Sequence, residues 1–163
     1  MNLKKAIFLD RDGTLNHDSV DYIKSLQEFD LFPFVPKALQ MLQERDYLLI
    51  IITNQSGIAR GFLKDWQLKQ MHNYLKDQLK KQAVDLRDIY YCPHLPEENC
   101  QCRKPKTKNI MLAADKYDID LKNSWFIGDS EKDIKTGQAA GCKTALVLTG
   151  LRNKTKDCIK NWK

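Results

Sequence analysis

Short apolar segments alternate with longer amphipathic segments along the whole chain. Five apolar segments are rich in Ile, Leu, Val and aromatic residues, with no regular polar face, which predicts buried strands. They are AIFLD (6–10), YLLIIIT (47–53), DIYYC (88–92), SWFIGD (124–129) and TALVLT (144–149). Between them, apolar residues recur at spacings of three and four, which predicts helices. The stripes are Val35, Ala38, Leu39 and Leu42; Leu68, Met71, Leu75 and Leu79; and Ile110, Ala113, Ala114 and Tyr117.

This alternation predicts an α/β fold with a doubly wound, Rossmann-like parallel sheet. The 163 residues contain no repeat or linker that divides them, so we expect a single domain over 1–163. In open parallel sheets, ligands bind beyond the carboxyl ends of the strands. The polar residues at those strand ends are therefore the candidates for function.

Composition and charge add only a little to this picture. The chain is 42% hydrophobic, which is typical of a soluble globular protein. Its net charge of +6 would attract phosphorylated ligands. We find no apolar run long enough to cross a bilayer and no signal-peptide pattern at the start of the chain. We therefore expect a cytoplasmic protein that does not associate with membranes.

Carboxylates follow two of the predicted strands. Asp10 ends the first strand and Asp12 comes two residues later, while Asp129 ends the fourth strand and Asp133 follows one helical turn on. Two nearby carboxylates repel each other unless they share a cation or a proton. Turn and helix-cap roles would explain one such acidic strand end, but two in one sheet favour a Mg²⁺ site or a nucleophile paired with a general acid.

The stretch CPHLPEENCQCRKPK begins at Cys92 and has the spacing C-x-H-x5-C-x-C. Cys92, His94, Cys100 and Cys102 would form a complete tetrahedral shell for structural Zn²⁺, with no open position for catalysis. A redox pair would normally show C-x-x-C, which is absent here. The predicted zinc loop, 92–102, contains few apolar residues that could fold it without metal, and the cations Arg103 and Lys104 follow its last ligand.

Four segments, LDRDGT, ITNQSG, RKP and IGDSEKD, resemble in this order the motifs of the haloacid-dehalogenase-like phosphatases. The resemblance implies that Asp10 attacks phosphorus and forms an aspartyl-phosphate, and that Asp12 serves as general acid and then as general base. It also implies that Asp10, the backbone carbonyl of Asp12 and Asp129 hold Mg²⁺. Thr53 would hydrogen-bond the phosphoryl group, and Lys104 would neutralise its charge. The short intervals between these segments leave no room for a large cap domain.

Within that superfamily, FLDRDGTLN, TNQSGIARG and IYYCPH resemble the D-glycero-D-manno-heptose 1,7-bisphosphate 7-phosphatases of lipopolysaccharide-precursor synthesis. The short zinc loop is more similar to that of histidinol phosphatases, which remain the alternative. The resemblance implies a small phosphorylated substrate, and Ser130 stands where the family usually has lysine. The implied substrate-binding residues are Thr53, Asn54, Gln55, Ser56, Arg103, Lys104 and Ser130.

Two other classes of function fit less well. A nucleic-acid 3′-phosphatase would need stacking aromatics interleaved with basic residues, and the three tryptophans show no such pattern, so we expect no nucleic-acid partner. A non-catalytic binding protein predicts loss of motif residues, and none is lost. His17 and His72 have no ligand-like neighbours in the sequence and are predicted to be surface residues. Nothing in the sequence requires a second subunit, so we expect a monomer.

Overall fold

The computed structural model describes residues 3–151. In this part of the chain, five strands form one parallel sheet and four α-helices connect them. The strands are β1 (Lys5–Leu9), β2 (Tyr47–Asn54), β3 (Leu86–Cys92), β4 (Trp125–Gly128) and β5 (Lys143–Leu146). The helices are α1 (Val35–Gln43), α2 (Asp65–Lys80), α3 (Lys108–Tyr117) and α4 (Glu131–Ala139). The predicted α/β fold with a doubly wound parallel sheet is confirmed.

The sheet has the strand order β3-β2-β1-β4-β5, which puts β1 at its centre. The chain builds outward from β1 through β2 to β3, then crosses back to place β4 on the other side of β1. The carboxyl end of β1 is therefore the switch point of the sheet, where a crevice opens. Asp10 follows β1 directly, between the ends of β2 and β4.

The core lies on both faces of the sheet because successive side chains of a strand point to opposite sides. Ile7 and Leu9 of β1 face the apolar stripes of α1 and α2, and Phe8 faces Ile110 of α3. Every residue of the predicted stripe Leu68, Met71, Leu75 and Leu79 is fully buried. The two-sided burial explains why these strands are almost continuously apolar.

The predicted strand limits differ from the observed limits mainly at the sheet edges. β3 begins at Leu86, two residues before the predicted start, and β5 ends at Leu146 although the apolar run continues to 149. Beyond β5, Leu148 is exposed and Thr149 Oγ1 donates a 2.6 Å hydrogen bond to the carbonyl of Gly13. The chain thus leaves the sheet to lie over the loop that follows β1.

The connections that face the crevice are loops with single 3₁₀ turns at Leu26–Glu28 and Pro96–Glu98. Between 3 and 151, each of the first four strands is followed by a loop and one α-helix, and no inserted domain covers the carboxyl ends of the strands. The expected absence of a large cap is confirmed. In the same range of residues, no helix is long and apolar enough to span a membrane.

Candidate active site

A cleft with a volume of about 340 Å³ opens at the carboxyl ends of β1, β2 and β4. It brings together residues from the segments LDRDGT, ITNQSG, RKP and IGDSEKD and from the loop that follows β1. All ten predicted catalytic, substrate-binding and Mg²⁺ residues line it: Asp10, Asp12, Thr53, Asn54, Gln55, Ser56, Arg103, Lys104, Asp129 and Ser130. Residues that are scattered over the sequence therefore form one site, because parallel strands end at the same edge of the sheet.

Lys104 lies between two buried carboxylates. Its Nζ donates to Asp10 Oδ1 at 2.7 Å and to Asp133 Oδ1 at 2.6 Å, and only 3% of its side chain is exposed. Burial alone would lower the pKa of Lys104, but the charges of Asp10 and Asp133 raise it, so the ammonium stays protonated. The site thus holds a permanent positive charge beside the side chain of Asp10.

The carboxylates of Asp10 and Asp129 lie close enough to share a cation. With Asp133 they offer oxygens that lie within 4.8 Å of one another. Burial raises the pKa of Asp129 to about 6, with a further contribution from the charge of Asp133. Burial and Asp133 also raise the pKa of Asp10 well above its usual value, although Lys104 counteracts them. An oxygen-only set of mutually repelling carboxylates fits Mg²⁺, which would relieve this repulsion.

Both carboxylate oxygens of Asp133 are engaged by hydrogen bonds. Its Oδ1 accepts from Lys104, while its Oδ2 accepts from the backbone N–H and the hydroxyl of Ser130 at 3.0 and 2.7 Å. Ser130 is the N-cap of α4, and its side chain and that of Asp133 form a capping box. Asp133 therefore anchors Lys104 and the start of α4, and Ser130 both caps the helix and lines the cleft.

Three neighbouring side chains hold the Asp12 carboxylate with four hydrogen bonds. Arg11 Nε donates to Asp12 Oδ1 and Arg11 Nη2 to Oδ2, both at 2.9 Å, while Asn16 Nδ2 and Gln55 Nε2 donate at the same distance. Burial raises the pKa of Asp12, but the Arg11 charge and the hydrogen bonds outweigh it and lower the pKa below its usual value. The Gln55 amide also donates to Thr53 Oγ1 at 3.0 Å and so links two predicted catalytic residues.

Asn54 binds the main chain of Lys104. Its Oδ1 accepts from the Lys104 N–H at 3.0 Å, and its Nδ2 donates to the Lys104 carbonyl at 3.3 Å. The end of β2 therefore fixes the backbone from which the Lys104 side chain reaches Asp10. Asn54 was predicted to touch substrate, and besides lining the cleft it positions the lysine.

The four predicted zinc ligands converge after β3. Cys92, His94, Cys100 and Cys102 place Sγ and Nδ1 atoms 3.3–3.6 Å apart. Zinc bonds of about 2.3 Å to sulfur and about 2.0 Å to nitrogen put the ligand atoms of a tetrahedron roughly 3.5 Å apart, so the cluster fits Zn²⁺. Arg103 Nη1 donates to the His94 carbonyl at 3.1 Å, which ties this cation to the loop.

The structure corrects the prediction that His72 lies on the surface. His72 is on α2 and is buried, with its Nε2 3.2 Å from Arg11 Nη1. The apolar stripe of α2 itself indicates burial at this position, since position 72 lies four residues after Leu68 and three before Leu75 on the same face of the helix. His17 is exposed as predicted, with 56% of its side chain accessible to solvent.

Further cleft residues were not named individually as site residues from the sequence. Asp18, Ser19 and Tyr22 line the cleft from the loop after β1, while the cation Arg60 lines it from the turn after β2 and the cation Lys132 from the start of α4. The backbone of Tyr22 has φ of 66°, which is unusual for a bulky residue. Lys132 lies two residues beyond Ser130, so a cation is present close to the position where the resemblance predicted one.

Comparisons with known proteins agree with this geometry. A family model described as HAD-hydrolase-like matches residues 101–160. The chain is 43% identical over 155 residues to D-glycero-beta-D-manno-heptose-1,7-bisphosphate 7-phosphatase of Haemophilus ducreyi, an alignment that covers 90% of this chain and 85% of that protein. It is 40% identical over 159 residues to D-glycero-alpha-D-manno-heptose-1,7-bisphosphate 7-phosphatase of Campylobacter jejuni, with coverage of 98% and 90%.

A solved structure is also similar over most of the chain. The D,D-heptose 1,7-bisphosphate phosphatase of B. bronchiseptica, crystallised with magnesium and phosphate, superposes with a TM-score of 0.89 at 36% sequence identity. The superposition covers 94% of this chain and 86% of that protein. The similarity therefore extends over most of the fold.

Proposed function

This chain belongs to the family of heptose 1,7-bisphosphate 7-phosphatases, which are haloacid-dehalogenase-like phosphatases, and we propose that it removes the 7-phosphate from D-glycero-D-manno-heptose 1,7-bisphosphate. The observation that carries the proposal is the 2.7 Å contact between Lys104 Nζ and Asp10 Oδ1 in a cleft that other cations also line. A buried carboxylate next to a fixed ammonium fits the attack on an anionic phosphoryl group.

In the first step, an oxygen of Asp10 attacks phosphorus and the sugar oxygen departs. Asp10, the backbone carbonyl of Asp12 and Asp129 would hold Mg²⁺, which when bound supplies positive charge against the carboxylates and the phosphoryl oxygens. Lys104 supplies a second positive charge, and the hydroxyl of Thr53 donates a hydrogen bond to a phosphoryl oxygen. The product of this step is a phosphoryl group bonded to Asp10, which divides one difficult displacement into two easier ones.

Asp12 handles the protons in both steps. It protonates the leaving sugar oxygen, becomes a carboxylate, and then takes a proton from the water that hydrolyses the aspartyl-phosphate. The low pKa of Asp12 reflects its contacts with Arg11, Asn16 and Gln55. A bound phosphoryl group brings negative charge close to Asp12, which raises its pKa in the direction that a general acid requires.

The second phosphate of the substrate would bind to cations farther from Asp10. Arg60, Arg103 and Lys132 line the same cleft. Relatives usually have a lysine at the position of Ser130. We assign the role of that lysine to Lys132, which lines the cleft from the same turn at the start of α4. Guanidinium groups match phosphate oxygens with paired donors, so Arg103 and Arg60 are suited to a second phosphate.

Histidinol phosphate is the alternative substrate and is less well supported. It carries one phosphate and an ammonium group, and three cations in the cleft would repel that ammonium. Asn54, Gln55 and Ser56 would line either substrate. We further propose that the protein works as a monomer in the cytoplasm, in the synthesis of lipopolysaccharide precursors, with structural Zn²⁺ bound by the loop 92–102.

The test is phosphate release with Mg²⁺ from three substrates under the same conditions: heptose 1,7-bisphosphate, histidinol phosphate and a 3′-phosphorylated oligonucleotide. We expect the largest kcat/KM with the bisphosphate and none of this activity in Asp10→Asn. Preference for histidinol phosphate would mean that the zinc loop, and not the segment TNQSGIARG, determines which substrate is bound. Release from none of the three by folded, metal-loaded protein would overturn the substrate assignment.

A further inference from the structure

Arg11 forms a bidentate clamp on Asp12 from outside the cleft. The side chain of Arg11 is fully buried, whereas 21% of the Asp12 side chain is exposed toward the cleft. Two guanidinium nitrogens of Arg11 hold the two carboxylate oxygens of Asp12 at 2.9 Å, and the ring of Phe29 lies 5.6 Å from the guanidinium carbon. The orientation of the Asp12 carboxylate therefore depends on the orientation of Arg11.

The third nitrogen of Arg11 points to helix α2. Arg11 Nη1 lies 3.2 Å from His72 Nε2 in the buried interior. Because a guanidinium has donors and no acceptor, His72 must accept with Nε2 and carry its proton on Nδ1. Burial, followed by the charge of Arg11, lowers the pKa of His72 to about 3, so the ring is neutral and able to accept.

The ring of His72 is itself held in place by β3. Tyr91 packs against it edge to face, with ring centroids 5.7 Å apart, and the Tyr91 hydroxyl donates to Asp65 Oδ1 at 2.5 Å at the start of α2. A chain of contacts thus runs from the start of α2 through Tyr91, His72 and Arg11 to Asp12. None of Arg11, His72 and Tyr91 lines the cleft.

We infer that His72 is a positioning residue for proton transfer: through Arg11, it fixes the Asp12 carboxylate in the orientation that serves the leaving oxygen. The inference rests on the proposed role of Asp12. Without the acceptor at position 72, one donor of a buried cation has no partner, and Arg11 turns to satisfy it. The clamp on Asp12 is then lost, although Asp10, Lys104 and the metal ligands keep their places.

A pair of substrates separates this role from a merely structural one. A sugar alkoxide needs a proton to leave, whereas p-nitrophenolate leaves without one, and kcat/KM reports the steps up to the first irreversible transfer. In His72→Leu, we expect kcat/KM for heptose 1,7-bisphosphate to fall on the order of 10–100-fold while that for p-nitrophenyl phosphate changes less than about threefold. His72→Gln keeps a carbonyl acceptor near the Nε2 position and should restore most of the loss.

Two controls make the outcomes distinct. Asn73→Leu changes an exposed neighbour on the same helix and should leave both substrates unaffected. Asp12→Asn should show the same selective loss for the bisphosphate; if it does not, the proposed function of Asp12 is wrong. If Asp12→Asn is selective but His72→Leu, shown to be folded by circular dichroism, loses both activities equally or neither, the inference about His72 is wrong. If His72→Leu does not fold, the shorter acceptor of His72→Asn is compared with His72→Gln by the same criterion.

Discussion

Lys104 Nζ donates to Asp10 Oδ1 at 2.7 Å, and this contact joins the end of the zinc loop to the end of β1. The lysine is buried, charged and shared with Asp133, so its position is fixed before substrate arrives. Two structural units meet at this contact: the strand end that carries Asp10, and the loop 92–102 that leads directly into Lys104. The predictions that follow test what each unit contributes.

Replacing Lys104 by Met removes the cation from between Asp10 and Asp133. We expect kcat to fall by at least about 100-fold, because the transferring phosphoryl group loses a fixed positive charge. The two carboxylates then remain buried without a neutralising cation, which should lower the free energy of unfolding by about 3–5 kcal/mol. Steady-state kinetics and urea unfolding measure the two effects. Activity near that of the wild type would show that Lys104 has no part in the reaction.

Replacing Asn54 by Ala removes both hydrogen bonds to the main chain of Lys104. We expect kcat to fall about tenfold or more while KM changes little, since Lys104 is displaced and the outer cleft is not. Asn54→Asp is the matched variant, because it keeps the acceptor for the Lys104 N–H and loses only the donor. A rise in KM alone, with kcat unchanged, would mean that Asn54 contacts substrate and does not position the lysine.

Removing zinc should weaken catalysis indirectly, through the cations that follow the loop, while Asp10 and Asp12 themselves stay in place. In Cys102→Ser, we expect loss of bound zinc, a lower temperature of unfolding and a lower kcat, because Arg103 and Lys104 follow this ligand directly. Cys142→Ser is the control: Cys142 lies outside the loop and is buried against α3 and the sheet. Metal content and turnover are measured on the same samples. Wild-type turnover from folded, zinc-free protein would contradict the scaffold role.

Replacing Lys132 by Ala tests the site for the second phosphate. We expect KM for heptose 1,7-bisphosphate to rise roughly tenfold, the equivalent of about 1.4 kcal/mol, while kcat/KM for p-nitrophenyl phosphate stays constant. Lys135→Ala is the control, since Lys135 is on the same helix, pairs with Glu131 at 2.6 Å and does not line the cleft. Equal effects of the two variants would locate the second phosphate elsewhere.

The buried His72 should make stability depend on pH. Its pKa is about 3 in the folded protein and about 6.5 when unfolded, so between these values only the unfolded chain binds the proton. Folding is therefore destabilised as pH falls below about 6.5, by up to roughly 1.4 kcal/mol per pH unit. From pH 7 to pH 5, wild type should lose about 2 kcal/mol more than His72→Gln in urea unfolding. A difference that does not depend on pH would mean that folding does not lower the pKa of His72.

The sequence predicted the sheet, the cleft and its main residues because they depend on local pattern. Asp10 and Asp129 follow apolar strands, and parallel strands bring such ends together whatever the details of packing. The role of Asn54 could not be predicted in this way, since its partner Lys104 is 50 residues away and the contact is to main chain. His72 was misjudged although its position, four residues after Leu68 and three before Leu75, lies on the buried face of α2. The sequence could not show the contact that accommodates a buried histidine there, since its partner Arg11 is 61 residues away.

The most direct test of the account is to trap the covalent intermediate. Enzyme quenched during turnover of heptose 1,7-bisphosphate with Mg²⁺ is treated with borohydride, which reduces an acyl phosphate to an alcohol, and the peptides are analysed by mass spectrometry. We expect the reduced side chain at position 10, its amount to rise with substrate, and none in Asp10→Asn. Full turnover with no modified residue, or modification at Asp12 in place of Asp10, would contradict the central claim that Asp10 is the nucleophile.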